Sequence, residues 1–421
     1  LNSKHKTLTV SEHMVIRIDD VVDGMRFDHD MLHALQKFHG EKGVPYYTLG
    51  HRSVRFCEYV GVLQIGQLTI EVLPKPNPKD KNGPWRKALL GMLQVVSTFP
   101  VDSPTSSQLK IRPNSILDHY FELFVNELDQ MIRKGLIKKY RSDEGNCRAL
   151  KGSLLISKDI QHNLTRRDRF YTKHTVYDGE HPIHQVLWAA LELTDKISTH
   201  PGLKSRIATI RLAFPEQKAI RVTEQTFTRL ILNRNNAHYN KALEIAKLLL
   251  LKHHPDISQG HEQVLALMFD MNDLWEKFVL ATLRKKLTFP EIRVRITDQS
   301  TKHFWKPQNG YSSTIRPDIV ISYLKGDKEH FVVLDTKWKN LNGYNPSSED
   351  LRQLFVYHSY FHADRVALVY PGKSNIANGK YYDPVKGMSD KTCAVIRIEA
   401  NDNITQWQEA ITSQIGNWLL S

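Results

Sequence analysis

The sequence predicts an α+β protein of several domains: a β-rich N-terminal region over residues 1–110, a mostly helical basic middle region over 111–265, and a C-terminal α/β domain over 266–421. Three observations carry this. A chain of 421 residues exceeds one typical domain, and 41% hydrophobic with 24% charged residues suits a folded protein. Apolar residues alternate near the N-terminus, switch to helical spacing after about 111, and alternate again from about 288. A Pro/Lys stretch, with Pro74, Pro76, Pro78 and Pro84 among Lys75, Lys79 and Lys81, can be neither helix nor central strand and reads as a linker or projecting loop.

In the N-terminal region, Val60 to Ile65 and Leu68 to Val72 flank Gly66-Gln67. A two-residue loop opening on Gly suits a β-hairpin. In the middle region, Ile116, Tyr120, Phe121, Phe124 and Leu128 recur at helical spacing, as do Ala242, Ile245, Ala246 and Leu249. Gly260 marks a break before a helix expected at about 264–287. Beyond it, Ile292, Val294 and Ile296 alternate. Ile315 to Tyr323 and Phe331 to Trp338 form a hairpin around Lys325-Gly326-Asp327, followed by a helix at about 348–362 and strands at Arg365–Tyr370 and Ala394–Ile398.

The formal charge of +13 favours an anionic partner. It is unevenly placed: residues 131–173 alone carry net +8. Arg133, Lys134, Lys138, Lys139, Arg141, Arg166, Arg167 and Arg169 stand there among Tyr140, Phe170 and Tyr171, a pattern that suits DNA and equally a solvated face with ion pairs. Cys57, Cys147 and Cys393 are far apart, which speaks against a disulfide framework or structural zinc and fits a reducing, cytoplasmic setting. No apolar run approaches the roughly 18–20 residues of a membrane span.

The chemistry concentrates in Arg316-Pro317-Asp318 and Leu334-Asp335-Thr336-Lys337. Period 2 puts Asp335 and Lys337 on one strand face, and a hairpin brings Asp318 towards Asp335. Two carboxylates so close repel unless a cation lies between them, and Mg²⁺ prefers such oxygen ligands. A lysine beside them can assist an attacking water or stabilise phosphate charge. Two helices add Glu276, at the border of a Leu274/Phe278/Ala281 core stripe, and Gln353 with Tyr357, four apart on one face. A structural ion pair is the plain alternative for Asp335 and Lys337.

Together Asp318, Asp335-Thr336-Lys337, Glu276 and Gln353-xxx-Tyr357 resemble the PD-(D/E)XK nuclease core in its variant with a QxxxY helix. The nearer resemblance is to the McrC family, the nuclease subunits of McrBC-type modification-dependent (type IV) restriction systems. It is carried by Met271 to Phe278, Leu334 to Lys339 and Gly152 to Tyr171, and it extends over most of 110–421. Gly61 to Lys75 is similar to relatives with an added N-terminal region. The resemblance implies a Mg²⁺-dependent endodeoxyribonuclease with one or two ions. Asp318, Asp335 and the Thr336 carbonyl would be ligands, Lys337 the catalytic lysine, and Glu276, Gln353 and Tyr357 supporting residues. It also implies an AAA+ GTPase ring of McrB type as partner, GTPase stimulation, and modified double-stranded DNA as substrate. Two alternatives stay open: an adaptor that chiefly activates an NTPase ring, and a stand-alone RecB-like repair nuclease.

Other motifs are weaker. Tyr370-Pro371-Gly372-Lys373-Ser374 would need Gly where Ala367 stands to be a phosphate loop, so no nucleotide site is expected. His358 and His362 are four apart but have no third ligand nearby. Trp188, Trp275 and Trp338 read as core.

Overall fold

A computed structural model of the chain describes residues 6–74, 82–96, 116–215, 217–230, 232, 234, 236–255, 263–289, 292–298, 300–325, 328–339, 341, 345–385 and 387–421. The centre of the expected Pro/Lys linker, 75–81, lies outside them, and its last proline, Pro84, falls in the first turn of a helix, Asn82–Val96, where a missing backbone N–H costs no helical bond. The architecture is mixed α/β, strand-rich at the N-terminus, helical in the middle and β-rich towards the C-terminus. Contacts divide it into two compact units, 1–108 together with 258–421, and 109–257.

In the first unit, β1 (Lys6–Ser11), β2 (Tyr59–Ile65) and β3 (Leu68–Leu73) are joined by a strand from far along the chain, β4 (Gln263–Asp270). β1 lies parallel to β3, while β2 is antiparallel to both β3 and β4. The Gly66-Gln67 turn joins β2 to β3 with Gly66 at φ +56°, as the hairpin spacing requires. Leu8, Val10, Leu63, Ile70, Val264 and Ala266 form a core that also takes Met31, Leu32 and Leu35 of α1 (His29–His39).

β4 corrects the sequence reading, which made these residues the start of a helix. Val264-Leu-Ala-Leu-Met-Phe269 is an unbroken apolar run, and periodicity cannot separate a buried strand from a buried helix in such a run. Pairing with β2 decides for the strand. Asp270 then caps α3 (Met271–Lys286), its carboxylate accepting from the Asn272 and Asp273 amides. The chain therefore passes without a linker from the N-terminal sheet into the helix that carries Glu276. α2 (Asn82–Val96) ties the two parts further. Its Arg86 pairs with the buried Glu71 of β3, and it packs on α3.

The C-terminal part is a six-stranded mixed sheet. Its strands are β5 (Val294–Asp298), β8 (Ile319–Lys325), β9 (Lys328–Thr336), β10 (Arg365–Pro371), β11 (Asn375–Asp383) and β12 (Gly387–Ile398), in the order β5-β8-β9-β10-β12-β11. A separate two-stranded hairpin, β6 (Lys302–Trp305) and β7 (Ser313–Ile315), lies between β5 and β8 in sequence. The β8/β9 hairpin forms as expected, and β9-β10-β12 run parallel. Val320, Val333, Val366, Leu368 and Val395 on one face pack with Leu354, Tyr357 and Phe361, from α4 (Ser348–Tyr360) and the residue after it. α3 and α5 (Ile404–Leu420) pack together and against the sheet. Trp275 of α3 is the centre of an aromatic cluster with Trp338, Trp407 and Phe278, and Trp85 of α2 meets Trp338 edge-on.

In the second unit, helices Ile116–Lys134, Pro182–Ile197, Pro201–Ala213 and Asn240–Leu251 bury Phe121, Phe124, Leu187, Ile207 and Ile245. Part of the region expected to be helical is not. Lys139–Cys147 and Phe170–Asp178 are paired antiparallel strands, with Ser153–Leu154 at the edge and a short helix, Ile156–Asn163, beside them. Lys-Tyr-Arg-Ser-Asp-Glu-Gly-Asn-Cys has no apolar period to read. Cross-strand pairs hold it instead, among them Tyr140 with Tyr177 and Arg141 with Asp178. No helix among the described residues is long and apolar enough to cross a membrane.

Gly61 tests the β2/β4 pairing. It has φ +136°, and a Cβ there would lie 2.0 Å from the Leu267 carbonyl oxygen. Gly61→Ala should lower unfolding free energy by about 3 kcal/mol or more. Gly145→Ala, with nothing within 4 Å of its Cβ position, should change it by about 0.5 kcal/mol or less. Urea denaturation of both variants checks this.

Candidate active site

The register of β8 and β9 builds the site. Ile319 pairs with Leu334, so Asp318 and Asp335 stand opposite one another at the sheet's end. The apolar run before Asp335 sinks that carboxylate completely, at 0% exposure. Its Oδ2 lies 2.8 Å from Lys337 Nζ, and its Oδ1 has no hydrogen-bond partner among the described residues. Burial first, and then the neighbouring Asp318 charge, push the Asp335 carboxyl well above the usual carboxylate range. Burial alone would favour a neutral Lys337 amine. The Asp335 carboxylate outweighs it, so the ammonium is held above its ordinary value.

Asp318 Oδ2 accepts from the Thr336 amide at 2.6 Å and from the Thr336 hydroxyl at 2.9 Å. The family resemblance points to the Thr336 carbonyl alone, and the hydroxyl contact comes from the register of the two strands. α3 brings the half-buried Glu276 into electrostatic range of Asp318. Three acidic groups thus converge on a region where Lys337 is the cation in direct contact with a carboxylate. No three His, Cys, Asp or Glu side chains among the described residues are already gathered as a cation cage.

α4 supplies the other two expected residues, and the geometry differentiates them. Lys337 Nζ donates to Gln353 Oε1 at 3.3 Å, Gln353 Nε2 donates to the Tyr357 hydroxyl at 2.7 Å, and that hydroxyl donates to the Arg316 carbonyl at 3.0 Å. The chain of bonds runs from the lysine to the backbone two residues before Asp318. Tyr357 is buried, so its hydroxyl holds the Asp318 turn, while Gln353 faces Lys337.

One supporting group escaped the sequence reading. Asp350, buried in the first turn of α4, accepts from Lys339 Nζ at 2.5 Å and from the Tyr370 hydroxyl at 3.1 Å. Burial would raise its carboxyl, but Lys339, Ser347 and Tyr370 together hold it below the usual range. Lys339 lies beyond β9, which ends at Thr336, and no local spacing singles it out. The missing signal was the partner, which comes from another element. Of the weaker motifs, Gly372 lies in a turn after β10 at φ +143°. α4 ends at Tyr360, so His358 and His362 do not share a continuous helical face. Trp188, Trp275 and Trp338 are buried.

The eight basic candidates of the second unit differ in their surroundings. Arg141 is paired with Asp143, Asp178 and Glu180, Arg133 with Asp129, and Arg169 lies 3.9 Å from Asp168. Lys134, Lys138, Lys139, Arg166 and Arg167 are exposed.

Glu276 gives a pH-dependent test. Burial, then Asp318 and Asp273, raise its carboxyl to about 7, against Arg316 and Lys277. The folded state then holds a proton that the unfolded chain has released, so stability falls as pH rises from about 4 to about 7 and is level above. Glu276→Gln removes that penalty. With metal chelated, the variant should be about 1–2 kcal/mol more stable than wild type at pH near 8, after discounting for partial exposure. The difference should vanish towards pH about 4. A pH-independent difference in urea unfolding would contradict the raised pKa.

The family described as McrBC 5-methylcytosine restriction system component matches residues 54–371. No curated protein matches the chain. Among solved structures, the fold is similar to a refined half-complex from a tetradecameric assembly of Thermococcus gammatolerans McrB AAA+ hexamers with bound McrC. There the TM-score is 0.71 at 20% identity, covering 98% of this chain and 100% of that one. The cryo-EM structure of the Thermococcus gammatolerans McrBC complex gives a TM-score of 0.49 at 19% identity, covering 68% of this chain and 89% of that one. With the family match spanning more than half of its length, the chain belongs to the McrBC restriction-system family.

Proposed function

We propose that the chain is the DNA-cutting subunit of a McrBC-like restriction system, a Mg²⁺-dependent endodeoxyribonuclease that docks on and stimulates an AAA+ GTPase ring in the cytoplasm. The observation that carries it is the Asp335 carboxylate, fully buried with Oδ1 unpartnered, beside Lys337 and opposite Asp318. Such a buried charge is costly unless a cation joins it. A hard divalent ion fits this oxygen donor set. Asp318, Asp335 and the Thr336 carbonyl would hold it. When bound, it supplies positive charge to the phosphodiester and the attacking water.

The protein's own groups do the rest. Lys337, oriented between Asp335 and Gln353, offers a proton donor and a fixed positive charge at the phosphate. Thr336 orients Asp318 through amide and hydroxyl, and Tyr357 holds the Arg316 carbonyl. Glu276, raised towards neutrality, can exchange a proton near pH 7. The bound McrC in the half-complex with McrB AAA+ hexamers supports a ring-forming partner for this chain. The family description supports 5-methylcytosine as the mark on the target.

Asp335→Ala should lower DNA cleavage by the assembled complex by about three orders of magnitude, and Lys337→Ala by about a hundredfold or more. Ring assembly and partner GTP hydrolysis should persist in both. Mg²⁺ should stabilise the wild-type chain against thermal unfolding, by about 2.7 kcal/mol at a hundredfold excess over Kd, and should not stabilise Asp335→Ala. Unchanged cleavage by purified Asp335→Ala complex would end the nuclease assignment.

The exposed cations of the second unit are assigned to holding a polyanion. Reversing Lys138, Lys139, Arg166 and Arg167 to Glu should weaken duplex binding and flatten its salt dependence. If both stay unchanged, that surface faces the ring instead.

A further inference from the structure

The β6/β7 hairpin has no part in the chemistry above, and its composition is unlike that of its surroundings. From residue 299 to 317 there is no Asp or Glu, while Lys302, Lys306 and Arg316 are cationic. Every residue of β6 is exposed, so the hairpin encloses no core of its own. Trp305 is 60% exposed and Tyr311 is 99% exposed. Large rings held in water by a two-stranded ribbon do not contribute to folding, and such ribbons are marginal alone.

Here the base of the ribbon is anchored. Lys302 Nζ donates to the Tyr360 carbonyl at 2.7 Å and lies 4.7 Å from the Phe361 ring centre, and Phe304 packs on Tyr360 at 5.4 Å. The anchor is the end of α4, the helix that carries Gln353 and Tyr357. The other end of the ribbon runs directly into Arg316-Pro317-Asp318. A fixed base and an exposed tip of rings and cations therefore adjoin the carboxylate site through two separate connections.

We propose that the 302–315 hairpin is a DNA-holding element of the nuclease unit, with Trp305 and Tyr311 packing on sugars or bases of the duplex and Lys306 contacting a phosphate. The absence of acidic residues suits a polyanion, and rings on a cationic ribbon suit the faces that DNA offers. This rests on the nuclease reading for its substrate, and it adds where the duplex is gripped relative to Asp318.

The test uses the full chain and a short fluorescent duplex with metal chelated, so that binding is read without cutting. Tyr311→Ala and Trp305→Ala should each weaken binding by about tenfold or more. Lys306→Ala should lower the slope of log affinity against log salt by about one. Tyr311→Ala cannot act through folding, because its side chain lies wholly in solvent. Wild-type affinity and slope in all three variants would overturn the proposal. So would unchanged duplex binding with lost ring assembly, which would assign the hairpin to a protein partner. Cleavage by Asp335→Ala is a separate measurement, so the nuclease reading can fail while the hairpin result stands, and the reverse.

Discussion

One buried negative charge organises this molecule. Asp335 terminates an apolar strand at the centre of a mixed sheet, where solvent cannot reach it. A carboxylate there must protonate, find a cation, or destabilise the fold. Asp318 and Glu276 add to the demand rather than relieve it, and Lys337 meets only part of it. The elements around the site can each be understood as fixing this imbalance in place. β8 presents Asp318, α3 presents Glu276, and α4 locks Lys337 through Gln353 while its Tyr357 pins the turn before Asp318.

Holding such a site needs a rigid surround, and the N-terminal part of the chain supplies some of it. The indole of Trp338, just beyond Lys337, donates to Glu12 at 2.8 Å, and its backbone amide donates to Asn272 at 3.3 Å. Trp275 donates to the Val369 carbonyl and packs against Trp338. The segment after β9 is thus bonded both to a residue some three hundred positions earlier and to the helix bearing Glu276. The N-terminal sheet is structurally continuous with the C-terminal six-stranded sheet, and β4 is the covalent and hydrogen-bonded seam between them.

Much of the site was legible because its spacing is local. Asp335 and Lys337 follow the strand period, Gln353 and Tyr357 the helix period, and Asp318 is one hairpin away. Glu276 could be suspected from its place on an amphipathic helix. Asp350, the Thr336 hydroxyl and the Arg316 carbonyl could not, because their importance comes from partners on other elements. The secondary-structure errors have the same character. β4 is apolar without a break from Val264 to Phe269 and carries no period, and Lys139–Cys147 is polar on nearly every residue and carries none either.

By itself, then, the sequence determined the local alphabet of this protein: alternation that makes a hairpin of β8 and β9, a helix with Gln and Tyr on one face, and an excess of acidic groups where the hairpin ends. Those features depend on neighbours within a few residues, which periodicity records. Only the tertiary structure decided that residues 263–270 complete the N-terminal sheet. It alone decided that Tyr357 grips the backbone before Asp318, and that an aromatic hairpin without acids stands beside the site, anchored to α4. Each of these depends on which distant segment supplies a hydrogen-bond partner or a covering ring, a choice made by packing between elements and invisible to any local pattern.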